Sequence, residues 1–215
     1  MESRLLSLLS EYNKRKAEIK ERLKEFERVH KGKDEDIFRE LCFCLLTANA
    51  NALSCDKAIK ELSDEGLIIK GGVNRIRPKL EGRVRFHNKK ASFIVGARKL
   101  FKRGGCLNIK RRIDSRDVFG TREWLVDNIK GLGYKEASHF LRNIGLGKNL
   151  AILDRHILKN LKRYRVIDKI PASLGTRKVY LDIERRMLEF SRKINIPPDE
   201  LDLLFWSLQT GFIFK

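Results

Sequence analysis

The sequence predicts an all-α protein, built as two packed helical lobes with a cleft between them. Apolar residues recur at helical spacing along almost all of its 215 residues, and runs of alternating β-branched residues are scarce. Gly and Pro fall mostly between the apolar stripes, where helices start and stop. No internal repeat, low-complexity tract or flexible linker interrupts the pattern. The chain therefore reads as one unit, 1–215, with discontinuous lobes formed by about 1–30 with 150–215 and by 31–149.

A stripe of Leu5, Leu6, Leu8, Leu9, Tyr12, Ile19, Leu23 and Phe26 predicts a long basic first helix. Asp34 or Asp36 is placed to cap a second helix through Leu46. Its segment Ile37 to Leu46 is apolar enough to be central. A third helix is expected from about Ala52 to Leu62. Gly66, Gly71, Gly72 and Pro78 predict a looser passage. Another helix starts near Asn88, carries Ile94, Val95, Ala97, Leu100 and Phe101, and stops at Gly104-Gly105. Asp114 or Ser115 opens the next, to about Ile129. A helix to Ile144 follows the Gly131-Leu132-Gly133 turn. Asp154 sits where an N-cap belongs, ahead of Arg155 through Tyr164, and two helices, about Thr176–Lys193 and Asp199–Gln209, complete the chain.

Lys plus Arg total 47 against 28 Asp plus Glu, a net charge of +19. Such a surplus calls for a polyanionic partner, nucleic acid first. No apolar run approaches the ~20 residues that span a bilayer. The start, Met1-Glu2-Ser3-Arg4, lacks the apolar stretch of a signal peptide, so a cytoplasmic, nucleoid-associated protein is expected. Cys42, Cys44, Cys55 and Cys106 form no C-x-x-C pair and are expected as reduced thiols. No metal or other cofactor is expected. A single Gln, at Gln209, beside abundant Lys, Arg and Glu leans toward a heat-adapted prokaryotic source.

The segment Ile129-Lys130-Gly131-Leu132-Gly133-Tyr134-Lys135-Glu136-Ala137 is the most informative. Two glycines between helices permit a tight turn with positive φ. The turn leaves free N–H groups at the start of the next helix, which suit a phosphate. An ordinary interhelical turn is the competing reading, and the charge favours DNA. Asp154 follows Lys135 by 19 residues (154 − 135), so one helix and a return loop bring the carboxylate back near the hairpin. A neutral amine there can attack a sugar carbon and displace a base, while a carboxylate stabilises the positive charge developing on the sugar.

These residues, with Leu153-Asp154-Arg155-His156-Ile157, resemble the helix-hairpin-helix, Gly/Pro-rich-loop, aspartate superfamily of DNA glycosylases. A lysine at this hairpin position marks its bifunctional members. Val84 to Ala91, Gly131 to Asn143 and the ending Asp199 to Lys215 resemble one branch, the type 2 8-oxoguanine DNA glycosylase/lyases found mainly in archaea. The resemblance runs from Leu41 to the terminus. The loop before Asp154 departs from the pattern, having Gly145 and Gly147 but no proline. Endonuclease III-like relatives carry four C-terminal cysteines for an iron–sulfur cluster. This sequence has no cysteine after Cys106, which argues against that branch.

The resemblance implies a monomer that acts on double-stranded DNA containing 8-oxoguanine, with Lys135 as nucleophile and Asp154 as its carboxylate partner. It implies Trp206 as one face of a sandwich around a flipped base and Phe86 as the other. Core packing is the competing reading for either aromatic. Because Phe205 adjoins Trp206, one should face the core. Asn49 and Asn51 resemble residues that fill the gap left by the base. Gly131 and Gly133 are expected at the DNA backbone. Lys215 is expected to tell 8-oxoguanine from guanine. Its α-carboxylate would accept the N7 proton that only the damaged base carries, its ammonium anchored to a neighbouring acid, with Asp202 as the fallback. His139 and His156 read as structural. Two further readings stay open: a non-catalytic helix-hairpin-helix binding module, and a glycosylase for another damaged base.

Overall fold

A computed structural model describes residues 2–215 and contains eleven α-helices and one two-stranded sheet among them. Helix α1 (Glu2–Lys31) buries Leu8, Tyr12, Ile19 and Phe26, while Leu6 faces outward. Helix α2 (Asp34–Thr47) is central, with every residue from Glu40 to Thr47 buried. Its cap is Lys33 rather than an aspartate. Asp36 contributes from inside the first turn, its carboxylate accepting the Lys33 N–H at 3.2 Å. Helix α3 (Ala52–Asp64) is capped by Asn51, whose side chain accepts the Ser54 N–H at 3.1 Å.

The passage read as loose from Gly66 to Pro78 is instead two short helices, α4 (Leu67–Lys70) and α5 (Val73–Leu80), with Pro78 inside the second. Ile68 and Ile76 are buried there, and tertiary packing overrides the breakers. Helix α6 (His87–Phe101) runs into strands β1 (Lys102–Arg103) and β2 (Cys106–Leu107). Gly104 and Gly105, read as a helix stop, form their turn, both with positive φ. Helix α7 (Val118–Asn128) starts later than expected, because Asp117 caps it by accepting the Gly120 N–H at 2.8 Å.

Helices α8 (Tyr134–Asn143), α9 (Arg155–Arg163), α10 (Arg177–Lys193) and α11 (Pro198–Thr210) follow. The buried apolar side chains from Ile37 to Leu150 form one cluster, built around α2. Those of α1, with Ala151 to Ile213, form a second, where Tyr164 and Phe205 stack at 5.6 Å. The chain passes from one cluster to the other between Leu150 and Ala151, three residues before Asp154. The cleft opens between the two lobes.

Candidate active site

The cleft encloses about 620 Å³. The Thr47–Ala52 loop, Arg83 and Arg85 line one side. The start of α8 and the Ile152–His156 segment line another, and Asp202, Trp206, Thr210 and Lys215 close it. Lys135, Asp154, Asn49, Trp206, Asp202 and Lys215 thus share one cavity.

Lys135 lies in the first turn of α8, its side chain 21% exposed and its Nζ 3.6 Å from Glu136 Oε1. Asp154 is the N-cap of α9. Its Oδ1 accepts the N–H groups of His156 at 2.7 Å and Ile157 at 2.8 Å. Both bonds fall on one oxygen, which fixes the carboxylate while Oδ2 makes no hydrogen bond among the described residues. Capping therefore occupies one oxygen of a carboxylate that lines the cleft.

The hairpin differs from expectation at one glycine. Gly131 has φ +86°, and a Cβ there would lie 2.3 Å from the Phe93 ring, so both backbone and packing require glycine. Gly133 is extended, at φ −89°, and caps α8; a Cβ would meet only Glu136 Oε2, at 3.3 Å. Any residue could adopt its backbone. Its lack of a side chain leaves the α8 N-terminus open to close approach, as a phosphate needs.

Phe205 is fully buried and Trp206 lines the cleft, its ring 5.3 Å from Phe212 and 6.1 Å from Phe214. Phe86 is not brought into the cleft lining. It stands at the rim, 57% exposed, with the Arg85 guanidinium over its ring at 5.7 Å. Its φ is +59°, and Asn49 has φ +54°. Positive φ is costly for a bulky side chain and persists where surrounding structure enforces it, commonly at functional sites.

Lys215 reaches back to α2 and α3. Its Nζ lies 2.7 Å from Glu40 Oε1, 2.8 Å from Asp56 Oδ1 and 4.5 Å from the Phe43 ring centre. Burial opposes its charge, but the two carboxylates outweigh burial and hold the ammonium above its usual range. Asn143 donates to the other oxygen of Glu40 at 3.0 Å.

The sequence reading left three side chains of this region without a role in it. His139, read as purely structural, is buried yet lines the cleft, with its ring edge-on to Phe43 at 5.6 Å. It has a polar neighbour in the backbone of Lys215, and neither ring nitrogen makes a well-aligned hydrogen bond among the described residues. Burial and the nearby charges of Arg142, Lys135 and Lys215 push its pKa well below the ordinary value, so it is neutral at pH 7. Arg142 is buried over Phe26 at 5.0 Å and pairs with Asp202, Nη2 to Oδ2 3.2 Å. Burial raises Asp202 to about 7; Arg142 opposes this, and Asp154 and Asp199 reinforce it. Lys90 is buried and donates to the carbonyls of Leu46 at 2.6 Å and Ala48 at 2.7 Å. It ties down the end of α2 beside Asn49. A polar residue spaced within an apolar helix face is the signal that could have marked His139 and Arg142.

A mainly helical, two-lobed body with a glycine hairpin, a lysine and a fixed carboxylate in one cleft defines the helix-hairpin-helix class of DNA glycosylase folds. The comparisons narrow it. The family model "8-oxoguanine DNA glycosylase" with its helix-hairpin-helix matches residues 19–196, and the chain belongs to that family. An 8-oxoguanine DNA glycosylase/AP lyase of Fusobacterium nucleatum is 44% identical over 212 residues, covering 95% of this chain and 94% of the relative. One from Methanocaldococcus jannaschii is 42% identical, covering 92% and 91%. The crystal structure of the Thermotoga maritima 8-oxoguanine DNA glycosylase superposes with a TM-score of 0.88 at 37% identity, covering 100% of both chains. The Methanocaldococcus jannaschii enzyme in complex with a 15mer DNA containing 8-oxoguanine superposes at 0.88 and 38% identity, covering 98% and 99%. No helix among the described residues is long and apolar enough to cross a membrane.

Proposed function

We propose that this protein is a bifunctional DNA repair enzyme that excises 8-oxoguanine and cleaves the strand at the resulting site. The observation that carries the reading is the convergence of Lys135 and the capped Asp154 in one cleft beside a glycine hairpin, in a chain whose relatives bear that name. The mechanism follows from the side chains. The lone pair of the Lys135 amine attacks C1′ of the flipped nucleotide, the C1′–N9 bond breaks, and the base leaves with its electron pair and takes up a proton. The fixed Asp154 carboxylate stabilises the positive charge that builds on the sugar as the bond opens. The sugar ring opens to a Schiff base on Nζ. Loss of a C2′ proton then expels the 3′ phosphate by β-elimination, and water releases Lys135.

Trp206 offers one face to the extruded base, and Phe86, at the rim beside Arg85, is the aromatic available for the other. Asn49 stands where a residue can enter the gap in the duplex. Gly131 and Gly133 present the start of α8 to the phosphate backbone, and the +19 charge supplies attraction at range. Lys215 and Asp202 read the base. 8-Oxoguanine carries a proton on N7 where guanine has a lone pair. A backbone oxygen of Lys215, fixed through the ammonium's grip on Glu40 and Asp56, is the acceptor for that proton. The enzyme works as a monomer in the cytoplasm, on double-stranded DNA, with its two apolar clusters as the cores of lobes that meet near residues 31 and 150.

The test is excision from three otherwise identical duplexes carrying 8-oxoguanine, guanine or uracil at one position. The reading predicts base release and strand cleavage for 8-oxoguanine only. Preferential release of uracil would make it a glycosylase for another base, and binding with no release would make it a binding module.

A further inference from the structure

Away from the cleft, a fully enclosed ion pair sits where the two apolar clusters meet. Arg122 on α7 donates to Glu184 on α10 through two nitrogens, Nη1 to Oε1 at 2.6 Å and Nη2 to Oε2 at 2.8 Å. Nη1 also reaches Ser138 Oγ on α8, at 3.1 Å. Arg122 and Tyr180 are each 1% exposed, Glu184 3% and Ser138 0%. Burying two charges is expensive, and an apolar pair of similar volume commonly stabilises a fold as well or better. Stability alone is therefore a weak account of this arrangement.

Its contacts suggest another. The strap Ala151–Leu153 crosses between the clusters and delivers Asp154 to the cleft. Both backbone groups of Ala151 are held from α10: its N–H donates to Glu184 Oε1 at 2.9 Å, and its carbonyl accepts the Tyr180 hydroxyl at 2.6 Å. The Leu153 N–H approaches the same hydroxyl at 3.4 Å. On the other side, the Arg122 guanidinium lies 5.5 Å from the ring of Tyr134, the residue before Lys135, and 5.9 Å from that of Tyr180. One buried cation thus touches the foundations of both functional residues, which come from opposite sides of the junction.

We propose that the Arg122–Glu184–Tyr180 network is a positioning device that sets the distance between Lys135 and Asp154 by clamping the Ala151–Leu153 strap to the hairpin helix. None of its members lines the cleft. It acts through Asp154, whose place relative to the reacting sugar carbon must hold while the duplex is bent and the base extruded. Displacements of about 1 Å at such a pair can cost a hundred-fold in rate.

This inference rests on the lysine mechanism proposed above, and the experiment separates the two. Base release from an 8-oxoguanine duplex is measured for wild type and Tyr180→Phe under single turnover with enzyme in excess. The competent fraction is read from the amplitude, and duplex affinity is measured separately. Tyr180→Phe removes the bonds to Ala151, Leu153 and Ser138 and keeps the ring. The expected result is a rate constant lower by about ten-fold or more, with amplitude and affinity unchanged. A purely structural role would reduce the amplitude or the melting temperature and leave the rate constant of the folded fraction alone; that result overturns the proposal, as does a change confined to affinity. If Tyr180→Phe does not fold, Ser138→Ala, which releases Arg122 on the hairpin side, is expected to slow the same rate constant by a smaller factor, and an unchanged rate there is equally fatal. A wild type that releases no base sinks the proposed function and not the clamp.

Discussion

Arg142 on α8 and Asp202 on α11 form a buried ion pair, Nη2 to Oδ2 3.2 Å, in the wall of the cleft that holds Lys135. Burial pushes Asp202 up to about 7, above the roughly 3.9 of an unfolded chain. Between those two values the folded protein keeps a proton on Asp202 that the unfolded chain has lost. Its contribution to stability therefore falls as pH rises through that window and is level above it. Asp202→Asn, which stays neutral, should gain stability relative to wild type between pH 4 and pH 7, by on the order of a few kcal/mol, and then run parallel. Urea unfolding at pH 5 and pH 8 measures this. A variant whose stability relative to wild type is the same at pH 5 and pH 8 would mean that Arg142 dominates and holds the carboxyl at or below its ordinary range.

The grip of Glu40 on Lys215 makes a separate prediction. Glu40→Gln keeps the shape and the bond to Asn143 but weakens the anchor at 2.7 Å. Excision of 8-oxoguanine should fall several-fold while affinity for undamaged duplex stays constant. The protein should lose about 1–3 kcal/mol of stability from the disturbed charged hydrogen bond. Equal loss of binding to both duplexes would place this contact in the scaffold alone.

The two hairpin glycines should fail in different ways. Gly131→Ala meets both positive φ and the Phe93 ring, so it should destabilise the fold by about 2 kcal/mol or more, read as a lower urea midpoint. Gly133→Val fits the extended backbone and should leave the midpoint nearly unchanged, yet weaken binding to damaged and undamaged duplex alike. Loss confined to damaged DNA would move Gly133 from the phosphate backbone to base recognition.

Affinity should depend steeply on salt. A surface with this positive surplus releases many counterions, so binding should fall by about a hundred-fold or more between ~50 and ~200 mM salt. A nearly flat response would show that the surplus charge lies off the binding face.

Much of this architecture is legible in the chain because local chemistry and burial agree. Asp154 reads as a cap and is one, since an Asx before a helix satisfies free N–H groups wherever the helix lies. Lys135 reads through the glycine hairpin that precedes it. Strands β1 and β2 were not legible: with two residues each, they offer no alternation, and Gly104-Gly105 marks a helix stop and a tight turn equally well. Helices α4 and α5 hid behind Gly71, Gly72 and Pro78, whose local preferences lose to the packing of Ile68 and Ile76. His139 reads only as structural, and Arg142 carries no role in the sequence, because helical spacing shows that a face is buried, not that its neighbours leave an opening there. Phe86 illustrates the reverse: its motif suggests a place in the cleft, but a left-handed backbone turns it to the rim.

The central claim is that Lys135 becomes covalently joined to the sugar. Borohydride reduction during turnover on an 8-oxoguanine duplex tests it most directly, because reduction of a Schiff base fixes enzyme to DNA. The account predicts a trapped adduct for the wild type and none for Lys135→Gln, which should still bind the duplex. A Lys135→Gln protein that traps at the wild-type level would contradict it and assign the chemistry to another amine.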